Sequence, residues 1–275
     1  MNKILTLYDI EFKRIKTVYF SILGLLIGSN IIWFIYTLNS VTKEVQGILN
    51  IRGGIGLLKS EEAYKIIKNG GIIYSIYGLS LFFMTLGIMW CLSYALIIWY
   101  KDFSSKTKVA YTLFTLPYNK FKIFLSKLIT ILSFIYGILA TQHVIWILEM
   151  FIIKSLTGIK TSEIIYIINY NNSMNYLFMF ISIYPLEIFM YYVFLPIIVT
   201  LVLFTGVLIH KSFYKVGGLL ALLYLAISIF TYIFISVDSM IFSDELLKNH
   251  IIYYIAIGAL SIIISYRLLN KRMQV

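Results

Sequence analysis

The chain has 275 residues, of which 60% are hydrophobic and 13% are charged, and its mean hydropathy is +0.89. A soluble globular domain carries roughly twice that share of charged residues, so this composition excludes a soluble protein. The net charge of +11 is therefore interpreted by where the basic residues lie, and nucleic acid is not expected as a partner.

Six stretches of the chain are apolar over a length that can cross a membrane. A helical span needs about 20 consecutive apolar residues, whereas the strands of a membrane β-barrel alternate over about 10. The unbroken runs favour helices, so we expect an all-α polytopic membrane protein with a single transmembrane domain over 1–275. The predicted spans lie at about 18–38, 72–99, 128–153, 183–209, 216–236 and 250–268.

The residues before the first span have apolar side chains at spacings of three and four, with charged residues such as Glu11 and Arg14 on much of the remaining arc. This pattern predicts an amphipathic helix over 3–17 in the membrane interface. A straight cytoplasmic extension of the first span is the alternative. Asp9 and Glu11 lie among the bases and no cleavage site follows, so we expect the first span to remain in the mature protein.

Basic residues are concentrated in alternate connecting segments. Fifteen of the 23 lysines and arginines lie in the N-terminal tail, in 100–127, in the link around Lys211 and at the C-terminal end. Because cytoplasmic loops of membrane proteins are enriched in lysine and arginine, both termini and the 100–127 loop are predicted to face the cytoplasm. The loops predicted to be extracellular are 39–71, 154–182 and 237–249.

Abundant isoleucine, lysine, asparagine and tyrosine are typical of proteins from AT-rich bacterial genomes. The predicted location is therefore the bacterial cytoplasmic membrane, where the chain would be embedded among lipids.

The 39–71 loop contains a short helix signal and a glycine-rich stretch. Ser60 followed by Glu61 and Glu62 predicts a short surface helix. The stretch from Gly53 to Gly56 lacks the lysine and hydroxyl of a nucleotide-binding loop. We therefore expect no ATP site on this chain.

Few residues with catalytic or metal-binding chemistry lie within the predicted spans. Cys91 is the only cysteine, so no intrachain disulfide and no cysteine metal site are expected. The chain has no HExxH motif, and Ser80 and His143 lack the surrounding features of a catalytic dyad. The sequence therefore predicts no metal site, no catalytic residue and no cofactor on this chain.

Ionisable groups within the spans mark a possible substrate path, because such groups are costly in a bilayer. Glu149 and Glu187 either lie at the outer water boundary, paired with Lys154 or Lys160, or line a path that meets a cationic part of a cargo. The residues predicted to form a path or gate are His143, Glu149, Glu187, Tyr192 and Pro196.

Helix-shaping residues occur in three of the spans. Pro196 frees the carbonyl of Tyr192 and is expected to kink the fourth span, either for gating or for packing. Two pairs of small residues, spaced by four, favour close helix packing within the chain or in a dimer. These pairs are Gly24 with Gly28 and Gly217 with Ala221.

The basic 100–127 loop has an ordered pattern: residues leaving the membrane, a short segment with a serine cap, and a turn at Leu116-Pro117 that leads into the third span. The residues predicted to couple to a cytoplasmic partner are Lys101, Asp102, Phe103, Ser104, Ser105, Lys106, Lys108, Leu116, Pro117 and Lys120. Together with the six spans, this pattern resembles the permease subunits of type-2 ABC exporters.

The resemblance implies a transport subunit without catalytic activity. Two such permeases, identical or paired with a related chain, would sit on two ATP-binding subunits that hold ATP and Mg²⁺. The apolar, aromatic-rich spans favour an amphipathic or hydrophobic cargo such as a peptide antibiotic, a drug or a lipid-like molecule. The alternatives are a secondary transporter driven by an ion gradient and a membrane scaffold or sensor that does not transport.

Overall fold

The computed structural model describes residues 3–50, 53–68, 71–103, 120–165, 189–213, 215–237 and 243–271. Within these ranges the regular structure is helical and contains no strand. The helices are α1 Lys3–Leu49, α2 Glu61–Lys68, α3 Gly71–Asp102, α4 Lys120–Thr157, α5 Leu195–Ser212, α6 Gly217–Val237 and α7 Ser243–Lys271.

Six helices are long and apolar enough to cross a membrane, which confirms that part of the predicted fold class. Each overlaps one of the predicted spans. The six candidate spans are Ile4–Leu49, Ile76–Asp102, Lys120–Thr157, Phe189–Ser212, Gly217–Ser236 and Leu247–Asn270. Large apolar side chains on the surface of α6 include Leu222, 67% exposed, and Phe230, 71% exposed, which is the pattern of a lipid-facing helix. The orientation of the termini stays a prediction.

The N-terminal region is one continuous helix, and the interfacial location of residues 3–17 stays a prediction. One helix, α1, takes in both the predicted interfacial helix 3–17 and the predicted span 18–38. Residues 3–23 contain no glycine or proline, so nothing in the backbone interrupts the helix. Glu11, predicted on the polar arc, is 6% exposed and lies on the same helix face as the buried residues Leu7 and Ile15.

The helices continue past the ends of the apolar runs into the segments predicted to connect the spans. Residues 39–49 belong to α1, 120–127 to α4 and 243–249 to α7. The coupling loop, predicted at 100–127, thus lies between α3 and α4, which end and begin at Asp102 and Lys120.

The short helix predicted after Ser60 is confirmed. It is α2, and it follows a 3₁₀ turn at Ile55–Lys59. Ser60 caps α2: its Oγ accepts a hydrogen bond from the Ala63 amide at 3.2 Å and donates one to the Leu57 carbonyl at 2.7 Å. The capping oxygen satisfies an amide that has no partner within the first turn of the helix.

The chain divides into two compact units, and α1, α3 and α4 contribute residues to both. Unit 1 comprises Met1–Lys16, Met89–Ile135 and Pro185–Val275, and unit 2 comprises Thr17–Ile88 and Tyr136–Tyr184. The single transmembrane domain predicted from the sequence stays a prediction.

In unit 1, α5, α6 and α7 pack together around polar as well as apolar side chains. The Thr205 hydroxyl lies 3.0 Å from that of Ser265, and the Tyr224 hydroxyl lies 2.7 Å from that of Ser261. An apolar cluster shared by these helices and the preceding turn consists of Met190, Ile198, Val202, Tyr253 and Tyr254.

The two small-residue pairs have different surroundings. A Cβ on Gly217 would overlap the backbone carbonyl of His210, and Ala221 is 7% exposed, so this pair packs within the chain. A Cβ on Gly24 or Gly28 would meet no atom of the described residues within 4 Å. The predicted close packing is therefore found at Gly217 and Ala221 and is not found at Gly24 and Gly28 among the described residues.

Candidate functional site

The described residues of the predicted coupling segment lie at its two ends. Lys101 is exposed and Asp102, the last residue of α3, is 4% exposed. Phe103 is half-buried and stacks on Trp99 with 6.0 Å between ring centroids. Lys120 is half-buried at the start of α4. The remaining predicted coupling residues, outside the described ranges, are Ser104, Ser105, Lys106, Lys108, Leu116 and Pro117.

Four charged side chains of unit 1 form a network beside the ends of this segment, which we call the charge network: Glu11, Arg14, Asp102 and Lys127. The Lys127 ammonium donates a 2.7 Å hydrogen bond to Glu11 Oε1 and lies 2.5 Å from Asp102 Oδ2. Arg14 Nη1 donates to Glu11 Oε2 at 3.2 Å and to Asp102 Oδ1 at 3.3 Å. Each base therefore contacts both acids.

The side chains of the charge network are almost completely buried from solvent. The side chain of Lys127 is 0% exposed, and those of Asp102 and Glu11 are 4% and 8% exposed. Only Arg14 keeps a partly exposed side chain. Because two acids face two bases, no net charge is buried, which avoids a penalty of several kcal/mol for an unmatched ion.

One contact in the charge network is incomplete. The approach of Lys127 to Asp102 Oδ2 is an ion pair without the geometry of a hydrogen bond, and this oxygen has no hydrogen-bond partner within the described residues. The Trp99 ring lies below the Lys127 ammonium, 5.4 Å from Nζ to the ring centroid, and adds an aromatic contact to the cation.

Aromatic rings connect the charge network to α5. Trp99 of α3 meets Phe204 of α5 edge to face at 5.6 Å, and Phe124 of α4 meets the same Phe204 at 5.6 Å. Trp99, Phe124 and Phe204 are each at most 1% exposed. Edge-to-face pairs of this kind each contribute about 0.5–1.5 kcal/mol beyond their burial. The ends of α3 and α4 are thereby held to α1 by charge and to α5 by aromatic packing.

Sequence reasoning missed Glu11 and Lys127 as members of one site. The sequence does contain a signal for this site, because each of the two charged residues lies in an apolar stripe, between apolar residues four positions before and four positions after it. Lys127 lies between Ile123 and Ile131, which are 2% and 0% exposed. A charge in such a stripe indicates a buried ion with a partner on another helix. The stripe does not identify the partner, which lies 116 positions away in the case of Glu11.

The residues predicted to form a path or gate are divided between the two units. His143 and Glu149 lie on α4 within unit 2, whereas Tyr192 and Pro196 lie in unit 1. Glu187 is outside the described residues.

Glu149 is 5% exposed, and among the described residues it forms no ion pair with Lys154, Lys160 or any other base. Both lysines are exposed. The predicted pairing of Glu149 with a lysine is therefore not found among the described residues, and its place at the water boundary stays a prediction.

A π-helical turn lies where the proline kink was predicted. It covers Phe189–Phe194 and ends two residues before Pro196, whose missing amide hydrogen removes one bond of the regular helix. Tyr192 is half-buried within the turn. The hydroxyl of Thr200 donates a 2.7 Å hydrogen bond to the Pro196 carbonyl.

Among the described residues no group of three or more histidine, cysteine, aspartate and glutamate side chains could hold a metal ion. Cys91 is a buried free thiol. Comparison of the chain with protein families, with curated proteins and with solved structures finds no match. Function is therefore inferred from the residues and their contacts.

Proposed function

We propose that the chain is the membrane-spanning permease subunit of an ATP-driven exporter of the type-2 ABC class. The observation that carries this proposal is the charge network, because it ties both ends of the 103–119 segment to α1. A push on that segment by a partner would act on Asp102 and on α4 near Lys127, and both are joined to Glu11. Buried ion pairs are suited to this role, because they are stable in a few discrete arrangements rather than over a continuous range.

The partner in this proposal is a separate ATP-binding subunit, present in two copies and docked on residues 100–120. It binds ATP and Mg²⁺ and performs the hydrolysis, while the present chain is not an enzyme. The exposed Lys101 and the basic residues Lys106 and Lys108 would meet an acidic groove on the partner. Closure of the ATP-binding subunits would shift α3 and α4 and thereby change how the cargo gains access to the permease.

A second permease chain, identical or related, completes the exporter. The assembly lies in the bacterial cytoplasmic membrane with both termini of this chain inside, and it moves an amphipathic or hydrophobic cargo outward. The exposed apolar face of α6 supports a location among lipids.

Reversal of two charges in the coupling segment tests the docking step. We expect K106E/K108E to lower co-purification with an ATP-binding subunit encoded in the neighbouring reading frame by at least tenfold. Like charges placed against each other at an interface cost several kcal/mol, which is more than the roughly 1.4 kcal/mol of a tenfold change. Co-elution after co-expression, scored on immunoblots, measures the loss.

The matched control is K43E/K59E. It carries the same change at two exposed lysines of the 39–71 region, which is predicted to lie on the opposite side of the membrane. It should co-purify like the wild type. Equal loss in both double variants, or full retention by K106E/K108E, would argue against docking on this segment.

One observation favours the alternative of a transporter driven by an ion gradient: Glu149 is buried on a candidate membrane span and forms no ion pair with any described residue. Transport that persists in energised vesicles without ATP and stops with a protonophore would select that alternative.

A further inference from the structure

Two buried oxygen atoms of unit 2 have no hydrogen-bond partner among the described residues. They are Oε2 of Glu149 on α4 and the hydroxyl of Tyr77 on α3. The two residues are 5% and 3% exposed. The helices that carry them meet here, because the Tyr77 ring lies 6.3 Å from the ring of Trp146, three residues before Glu149, and the two oxygen atoms form no hydrogen bond with each other. Each such group costs about 1–3 kcal/mol when left unmatched, and more when it is charged.

Two polar side chains close to Glu149 on α4 do have hydrogen-bond partners. The Trp146 indole donates a 2.7 Å hydrogen bond to Ser80 Oγ. Gln142, one turn earlier on α4, exchanges hydrogen bonds of 3.1 and 3.2 Å with Asn30. Residues 142, 146 and 149 share one face of α4, because they are spaced by four and three. On this face Gln142 and Trp146 have hydrogen-bond partners, whereas Glu149 Oε2 has none among the described residues.

The chemistry of the two free atoms selects a positively charged ligand. A carboxylate oxygen accepts hydrogen bonds and attracts cations, and a tyrosine hydroxyl also accepts. The Tyr77 and Trp146 rings lie beside each other with 6.3 Å between centroids, and aromatic faces attract cations. Mg²⁺ and Ca²⁺ require about six or more oxygen ligands, which exceeds what these residues offer. An anionic ligand would be repelled.

We propose that Glu149, Tyr77 and Trp146 form a binding site for the primary ammonium group of an amphipathic molecule. The ammonium carries three N–H donors and so supplies the hydrogen bonds that Glu149 and Tyr77 lack, while the apolar part of the molecule lies among the surrounding helices. Only the identification of this molecule as exported cargo rests on the proposed function.

Binding of decylamine to the purified full chain in zwitterionic lipid nanodiscs tests the site. Radiolabelled decylamine is measured by equilibrium dialysis, and uptake by empty nanodiscs is subtracted. We expect E149Q to bind at least tenfold more weakly than the wild type, because the amide keeps the shape of the carboxylate and removes its charge. Y77F should bind decylamine several-fold more weakly than the wild type. E44Q, a change at an exposed glutamate of α1, should bind like the wild type.

Two further ligands separate the recognised group from the alkyl chain. Decyltrimethylammonium keeps the charge but has no N–H donor, so it should bind at least several-fold more weakly than decylamine. Decanoate should show no saturable binding. Equal binding of decylamine by E149Q and wild type, or equal binding of decanoate and decylamine, would overturn the proposal. E149Q should melt at or above the wild-type temperature, which excludes misfolding as the reason for lost binding.

These assays contain no ATP and no partner subunit. Binding that depends on Glu149 would stand even if no ATP-binding subunit docked on the chain, and docking would stand even if decylamine did not bind. Failure of the ammonium site is thus distinguishable from failure of the proposed function.

Discussion

Replacement of Lys127 by methionine is expected to destabilise the protein by about 3–5 kcal/mol, the usual cost of removing one partner from a buried ion pair. The substitution keeps most of the side-chain volume but leaves Glu11 and Asp102 facing Arg14 alone. One negative charge is then unmatched at a position where Lys127 is 0% exposed. The free energy of unfolding, measured by denaturant titration in mixed micelles, gives the loss directly.

A second substitution distinguishes charge imbalance from lost packing. In the K127M background, D102N should restore much of the lost stability, because Glu11 and Arg14 then remain as a neutral pair. In the wild-type background the same D102N should destabilise, because it leaves an unmatched positive charge. K122M, at an exposed lysine five positions away on α4, should have little effect. If D102N lowered stability by the same amount in both backgrounds, the four charges would not act as one network.

The charge-balanced variant D102N/K127M is expected to separate folding from coupling. It should fold and bind the ATP-binding subunit, but the stimulation of ATP hydrolysis by the chain should fall at least tenfold. The reason is that the ionic links from Asp102 and Lys127 to α1 are gone, so movement of the coupling segment no longer reaches that helix through them. A tenfold loss corresponds to about 1.4 kcal/mol, within the usual range of coupling energies between sites. Turnover of the reconstituted complex is the measurement.

The exposed pair on α1 provides a matched control for this variant. Asp9 and Lys13 form a 2.6 Å ion pair with more than half of each side chain exposed. D9N/K13M therefore carries the same two types of substitution on a solvent-facing pair and should keep wild-type stimulation. Wild-type stimulation by D102N/K127M, with the complex intact, would remove the charge network from the coupling path.

The six spans could be predicted from sequence because lipid-facing helices are apolar on nearly all sides. On α6, residues such as Leu222 and Phe230 are apolar although they are exposed, so the hydropathy signal there does not depend on any partner helix. The ends of the helices do not follow from hydropathy. The helices continue into polar residues, which hydropathy treats as loops, and α1 gains its first turns and residues 39–49 in this way.

The site was harder to predict than the spans. Assigning sides by basic residues treats every lysine as facing water, whereas Lys127 is buried. Asp102 was chosen as a coupling residue from its place at the end of a span, but its partners come from two other helices. Pairing of Lys127 with Glu11 joins residues 116 positions apart. A single sequence shows that both charges lie in apolar stripes and does not show that the stripes meet.

The surroundings of Glu149 in unit 2 were likewise not predictable from its position in the sequence. Its sequence position, five residues before Lys154, favoured a pair at the water boundary. A separation of five places the two side chains on different faces of a helix, since only spacings of three and four align. The structure accordingly places Lys154 on the exposed side of α4 and Glu149 on its buried side.

The most direct test of the proposed function is the rate of ATP hydrolysis by the ATP-binding subunit in proteoliposomes, with and without this chain. A permease coupled through residues 100–120 predicts that the two proteins co-elute and that the chain changes the rate at least tenfold, with D9N/K13M behaving like the wild type. An unchanged rate, together with separate elution of two folded proteins, would contradict it.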